Sequence, residues 1–155
     1  MAQLKKKYVD INDTLRHIRL QVKEGLPWAR HNVPYMINPV DLYYWLRIRT
    51  HYVLDPDGVE LLQSADTLMT ENNFHGVPGS GDCDCFTILT LTALNVQKWK
   101  GKPWIKLAGR SKQYPVHIWA GIDYKGEEIA MDLTEKKAGQ ERKYPYVQKI
   151  YFNYI

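Results

Sequence analysis

Apolar residues recur at Ile11, Leu15, Ile18 and Val22, the three-and-four spacing of one face of an amphipathic helix. Asn12 and Asp13 are residue types that cap such a helix, and Gly25 with Pro27 predicts its end near Glu24. A second helix is predicted to open at Asn38-Pro39, because Pro suits the first helical position while Asn accepts a free backbone N–H; it carries Leu42, Trp45, Leu46 and Arg49 and ends near His51. Asp55-Pro56-Asp57-Gly58 reads as a turn, and 71–81 (ENNFHGVPGSG) is polar, Gly-rich and without period, the mark of a loop. Over 83–99 the chain is apolar on nearly every side except for three threonines, which predicts a helix buried in the middle of a small domain. Segments 104–108, 116–122, 128–133 and 147–154 then alternate or are rich in β-branched and aromatic residues, predicting four mostly antiparallel strands. Helices first and strands last, with no internal repeat and no low-complexity linker, indicate an α+β fold.

Composition narrows this picture. The 155 residues are 45% hydrophobic and 25% charged, so a single globular domain with its own core is expected, without help from a disulfide or a metal. No apolar run reaches the roughly 18 to 20 residues of a membrane span, and no apolar stretch follows the basic start of the chain, so no signal peptide and a cytoplasmic location are expected. The net charge of +4 is spread along the chain and makes a nucleic-acid partner unexpected. The two cysteines, Cys83 and Cys85, are one residue apart, so a bridge between them would close a strained ring and staple nothing. Their interest is chemical.

Gly79-Ser80-Gly81-Asp82-Cys83 lets the backbone turn tightly into a helix that begins at or near the cysteine. Unpaired N–H groups and the helix dipole stabilise a thiolate there, whereas Asp82 and Asp84 oppose it. The competing reading is a buried, inert thiol. On the strand over 116–122, Val116, Ile118, Ala120 and Ile122 share one face and His117, Trp119 and Gly121 the other; on the next strand Asp132 lies opposite Ile129, Met131 and Leu133. If a hairpin turn centres between Lys125 and Gly126, paired positions sum to 251, which sets Trp119 across from Asp132 with His117 on the diagonal. A slip of two would pair His117 with Asp132 directly, and either register leaves them within about 4.5 to 8 Å on one face. Cys83, His117 and Asp132 thus form a candidate catalytic triad in which the thiolate attacks a carboxamide, the imidazole moves the proton, and the carboxylate holds the imidazole tautomer. For Asp132 the alternative is a surface ion pair.

These residues resemble the transglutaminase-like superfamily of papain-like thiol enzymes: Cys83 behind Gly-Asp, the apolar helix after it, His117 followed by Trp119, and Asp132 before Leu133-Thr134. With 52–64 (YVLDPDGVELLQS) leading towards GDCD, the chain is most similar to the transglutaminase-like proteins of tailed bacteriophages and prophages, over about 39–134. The resemblance implies a papain-like core, with a helix bearing the nucleophile packed on an antiparallel sheet of about four strands, and chemistry on peptide or glutaminyl amides through a thioester. It implies one domain over 1–155, with a helical extension at 1–37, the core motifs at 38–134 and a closing strand within 135–155. Phage-type relatives commonly carry an acid where this chain has Cys85, which lies about 200° round the helix from Cys83 and is read as a small core residue.

Trp119 either walls a substrate groove beside His117 or is covered by a helix. His17, His31, His51 and His75 show no ligand spacing, so neither metal nor other cofactor is expected. The stretch 98–106 (KWKGKPWIK) has the composition of a phosphate-binding, base-stacking segment but equally of a turn between a helix and a strand. A different class of function uses the same fold as a structural or assembly module with an idle site, associated with a virion and its other proteins.

Overall fold

In the computed structural model, which describes residues 3–6, 11–56, 60–97, 99–113 and 115–155, the elements follow in the order β1 (Gln3–Lys6), α1 (Ile11–Asn32), α2 (Pro39–Arg47), β2 (His51–Tyr52), β3 (Glu60–Gln63), α3 (Ala65–Leu68), β4 (Ser80–Gly81), α4 (Cys83–Val96), β5 (Lys102–Gly109), β6 (Pro115–Tyr124), β7 (Glu127–Met131) and β8 (Tyr146–Tyr151). The last four strands make one antiparallel sheet in the order β7-β6-β5-β8. Two short pairings, antiparallel β1 with β3 and parallel β2 with β4, lie outside it. The expected turn at 55–58 falls partly outside the described residues; Asp55 within it accepts the Leu61 N–H at 2.7 Å.

α4 is the axis of the fold. Ile88, Leu91, Leu89 and Leu94 are fully buried, as are Thr90 and Thr92, whose hydroxyls donate back to the carbonyls of Phe86 and Ile88 at 2.9 and 2.6 Å. One apolar cluster joins Ile18 and Val22 of α1, Ile88 and Leu91 of α4, and Ile105, Leu107, Ile118 and Ala120 of the sheet. A second joins α2, α3 and the other side of α4 to Ile122 and Met131.

α1 does not stop near Glu24. It runs to Asn32 through Gly25 and Pro27, because its buried face continues through Gly25, Leu26 and Ala29. Gly25 is there for space: a Cβ would stand 3.0 Å from the Ala65 backbone nitrogen of α3, so the residue that reads as a helix stop is a close-approach point between two helices. Packing of this face outweighs the local cost of Gly and Pro. Asn12 and Asp13 lie inside the first turn rather than capping it, and Asp13 takes an ion pair from Arg16 at 2.8 Å. α2 begins as expected, with Asn38 Oδ1 accepting the Asp41 N–H at 2.9 Å.

Candidate active site

The glycines before Cys83 act through close approach as well as through turning. Gly79 has φ +84, and a Cβ there would sit 2.1 Å from the Arg49 carbonyl oxygen. Its own carbonyl accepts the His51 N–H, and that of Gly81 accepts the Val53 N–H, both at 2.8 Å. β4 is thereby clamped against β2 and delivers the chain to the start of α4. Asp82 is the N-cap, its Oδ1 accepting the Asp84 N–H at 3.2 Å, and Cys83 is the first helical residue, partly buried. The thiol therefore stands where the helix dipole favours its ionised form.

The two flanking carboxylates do not act alike. Asp82 is almost fully buried, and burial, then the charges of Asp84 and Asp55, push its carboxyl up to about 9. It holds its proton at neutral pH, so the opposition to a thiolate expected from both acids is reduced. A side-chain hydrogen bond with Asp55 raises the Asp82 carboxyl further. Cys85, one turn position away, is fully buried; its thiol donates to the Leu61 carbonyl at 3.0 Å and is pushed well up by burial. It is the core residue that its helical position indicates.

The second half of the site hangs on the β6–β7 hairpin. Lys125 and Gly126 both take positive φ, 52 and 80, the two-residue turn that matches strand twist. Ala120 pairs with Met131 and Ile122 with Ile129, so paired positions sum to 251 and the slipped register is not adopted. His117 reaches along the diagonal, and its Nε2 lies 2.6 Å from Asp132 Oδ2. Asp132 is 4% exposed and its other oxygen accepts the Thr134 N–H at 3.0 Å and hydroxyl at 2.7 Å, so it is no surface ion pair. A carboxylate accepting at Nε2 fixes the proton there and leaves Nδ1 as the nitrogen that can take one.

Trp119 is buried, stacked on His117 with ring centres 5.2 Å apart, and its Nε1 donates to Glu141 at 2.9 Å. Tyr144 stacks on the same imidazole at 6.2 Å. Trp119 is thus neither an open groove wall nor helix-covered: an irregular segment, 132–145, closes this face. That segment is tied down by Glu135, whose carbonyl accepts from the Tyr43 hydroxyl and from Arg47 Nε (2.8 Å for the latter), and by Glu141, which pairs with Lys106 at 2.8 Å. Glu135 also pairs with Arg142 at 2.8 Å. Sequence reasoning missed Tyr144, Glu135, Glu141 and Arg142, because a polar stretch without period carries no signal of what it covers.

Cys83 packs against the apolar cluster that contains Ile118, the residue after His117 on β6. Tyr52 stands beside the start of α4. It pairs with Gly81, and its ring meets Phe86, one turn after Cys83, edge-on at 6.2 Å. Burial, then the neighbouring Cys83, Asp82 and Asp84, push its hydroxyl up to about 12, so it remains a donor at any physiological pH.

Among the described residues, no group of three or more His, Cys, Asp or Glu side chains is placed to hold a metal ion, and no helix is long and apolar enough to cross a membrane. The stacking reading of 98–106 fails for its tryptophans: Trp104 is fully buried, and Trp99 is buried with its Nε1 donating to the Met36 carbonyl at 3.1 Å. Lys98 lies outside the described residues.

No protein-family model and no curated protein matches the chain. A solved structure described as a crystal structure of a TGase is similar to it, with 12% sequence identity and a TM-score of 0.39, over 89% of this chain. The chain spans only 37% of the length of that structure.

Proposed function

We propose that the chain is a transglutaminase-like thiol enzyme that acts on peptide or glutaminyl amides, with Cys83 as nucleophile, His117 as proton carrier and Asp132 as the group that orients and charges the imidazole. The observation that carries this reading is the buried Asp132 carboxylate, held by Thr134 and bonded at 2.6 Å to a histidine two aromatic rings enclose. A carboxylate so confined stabilises the imidazolium that must form when the thiol loses its proton.

The thiolate adds to the amide carbonyl, and the negative charge on oxygen is met by the Cys83 N–H and the Tyr52 hydroxyl. His117 then gives its proton to the departing nitrogen as the C–N bond breaks, leaving a thioester. Water or a second amine attacks that thioester while His117 takes the incoming proton, and the C–S bond breaks to return the thiolate. Trp119 is a positioning residue in this scheme, holding the imidazole plane.

Alkylation followed thiol by thiol by mass spectrometry tests this reading. Cys83 should react well below pH 8, faster than a model thiol of pKa about 8.5, while Cys85 stays unmodified until the protein unfolds. His117→Ala should move the Cys83 profile towards that of the model thiol. A Cys83 as inert as Cys85 in the folded protein would overturn the enzyme reading and favour the assembly role that the phage resemblance implies.

A further inference from the structure

Arg142 lies on the segment that covers His117, two residues before Tyr144, whose ring stacks on that imidazole. Its Nε is engaged by the Glu135 carboxylate at 2.8 Å, but the side chain is 66% exposed whereas that of Glu135 is 7% exposed. The partner is thus an anchor below the guanidinium, which also hydrogen-bonds Tyr144 while the side chain stays largely exposed. Other cations near this face are consumed differently: Lys106 bonds both Glu128 and Glu141, and Lys149 both Asp123 and Glu128. Arg142 is also close enough to act electrostatically on Tyr144, Asp132 and Tyr52, and Tyr52 is itself in the field of Cys83. The guanidinium therefore stands beside the aromatic ring that covers the imidazole.

We propose that Arg142 is a specificity residue that selects substrates bearing a carboxylate next to the reacting amide, such as acidic peptides, over neutral or basic ones. This rests on the thiol-enzyme reading above and names its substrate class. The chemistry favours it: a guanidinium already held by Glu135 and Tyr144 has lost part of its rotamer freedom, and its exposed part offers N–H donors to a carboxylate. The surroundings require it too, since Asp84 and Asp132 would otherwise repel an anionic chain from a site that a cationic one would enter unaided.

A pair of small alkylating reagents reads this without a known substrate. Iodoacetate and iodoacetamide attack the same thiolate, each forming a C–S bond and releasing iodide, and differ by one negative charge. The quantity measured is the ratio of their rates at Cys83, located by mass spectrometry, at low ionic strength. Arg142→Gln should lower the iodoacetate to iodoacetamide ratio by about threefold or more, and added salt should shrink the difference. Arg142→Lys should retain most of the wild-type ratio, and Lys125→Gln, which removes one exposed cation at the far hairpin, should not change it. Should Arg142→Gln unfold by stranding Glu135, the double variant Arg142→Gln/Glu135→Gln removes both charges and should show the same fall. A fast-reacting Cys83 whose ratio is the same with and without Arg142 overturns the proposal and leaves the thiol-enzyme reading intact. A Cys83 inert to both reagents overturns both.

Discussion

The four-stranded sheet is buried on both faces, but by different materials. On one face Ile105, Leu107, Ile118 and Ala120 meet the aliphatic sides of α1 and α4. On the other, Trp104, Ala108, Trp119 and Ala130 meet Tyr144 and an irregular segment fastened by Glu135 and Glu141. The first cover is made of regular elements that close-pack and exclude polar groups, so it is where burial of apolar area contributes most to stability. The second holds an imidazole, a carboxylate and their hydrogen bonds, and its cover is built from directional contacts that can fix a ring without filling all space around it. One strand, β6, serves both, with Ile118 facing the first and His117 the second.

Changes at the proposed catalytic residues should be the most damaging to function. Cys83→Ala and His117→Ala are each expected to lower turnover of a glutaminyl or peptide amide about 10⁴-fold, with the double variant no worse and Asp132→Asn less affected than either, because in the proposed mechanism the groups act as one device. Unfolding free energies of these variants should stay within about 2 kcal/mol of wild type. Turnover losses that add, or that follow the loss of stability, would dissolve the contrast between site and core.

The aliphatic face should show the reverse. Leu91 is fully buried among α1, α4 and the sheet, and Leu91→Ala should cost about 2–5 kcal/mol in denaturant unfolding while leaving the pH profile of Cys83 alkylation in place below the transition. A shifted alkylation profile at full folding would mean the two faces are coupled through β6.

A further expected effect lies at the boundary, in Asp82. Its carboxyl is raised in the folded chain to about 9 from 3.8, so the folded state binds a proton that the unfolded state has released across that window. The contribution is fully present below about pH 4 and is lost as pH rises towards 9, on the order of 1 kcal/mol per pH unit at most. Asp82→Asn, which preserves an N-capping oxygen, should flatten this fall and raise stability at pH 8. Unfolding curves at pH 5 and pH 8 for both proteins give the answer, and parallel curves would mean that Asp82 is ionised.

Much of the architecture is written in short-range pattern. The helix at Pro39–Arg47 follows from Asn-Pro, the buried helix from its apolar run, and the four strands from alternation. The hairpin register, and with it the nearness of His117 to Asp132, follows from counting outward from Lys125-Gly126, because a two-residue turn leaves no freedom of pairing. Local pattern misread α1, since Gly25 and Pro27 break a helix only when nothing packs on its far side. It was silent on β2 and β4, whose two residues each are too few to show a period.

The sequence by itself therefore determined the helices α1, α2 and α4 and the strands β5 to β8 as types, the pairing of β6 with β7, and which side chains share a strand face, all of which depend on neighbours a few residues apart. Only the tertiary structure decided that 132–145 folds over His117, that Tyr52 stands beside the start of α4, that Asp82 meets Asp55 and is raised, and that Arg142 is anchored at Glu135 with its side chain largely exposed. Those outcomes depend on groups tens of residues apart competing for burial and for hydrogen bonds, and such competition is settled only when the whole chain closes.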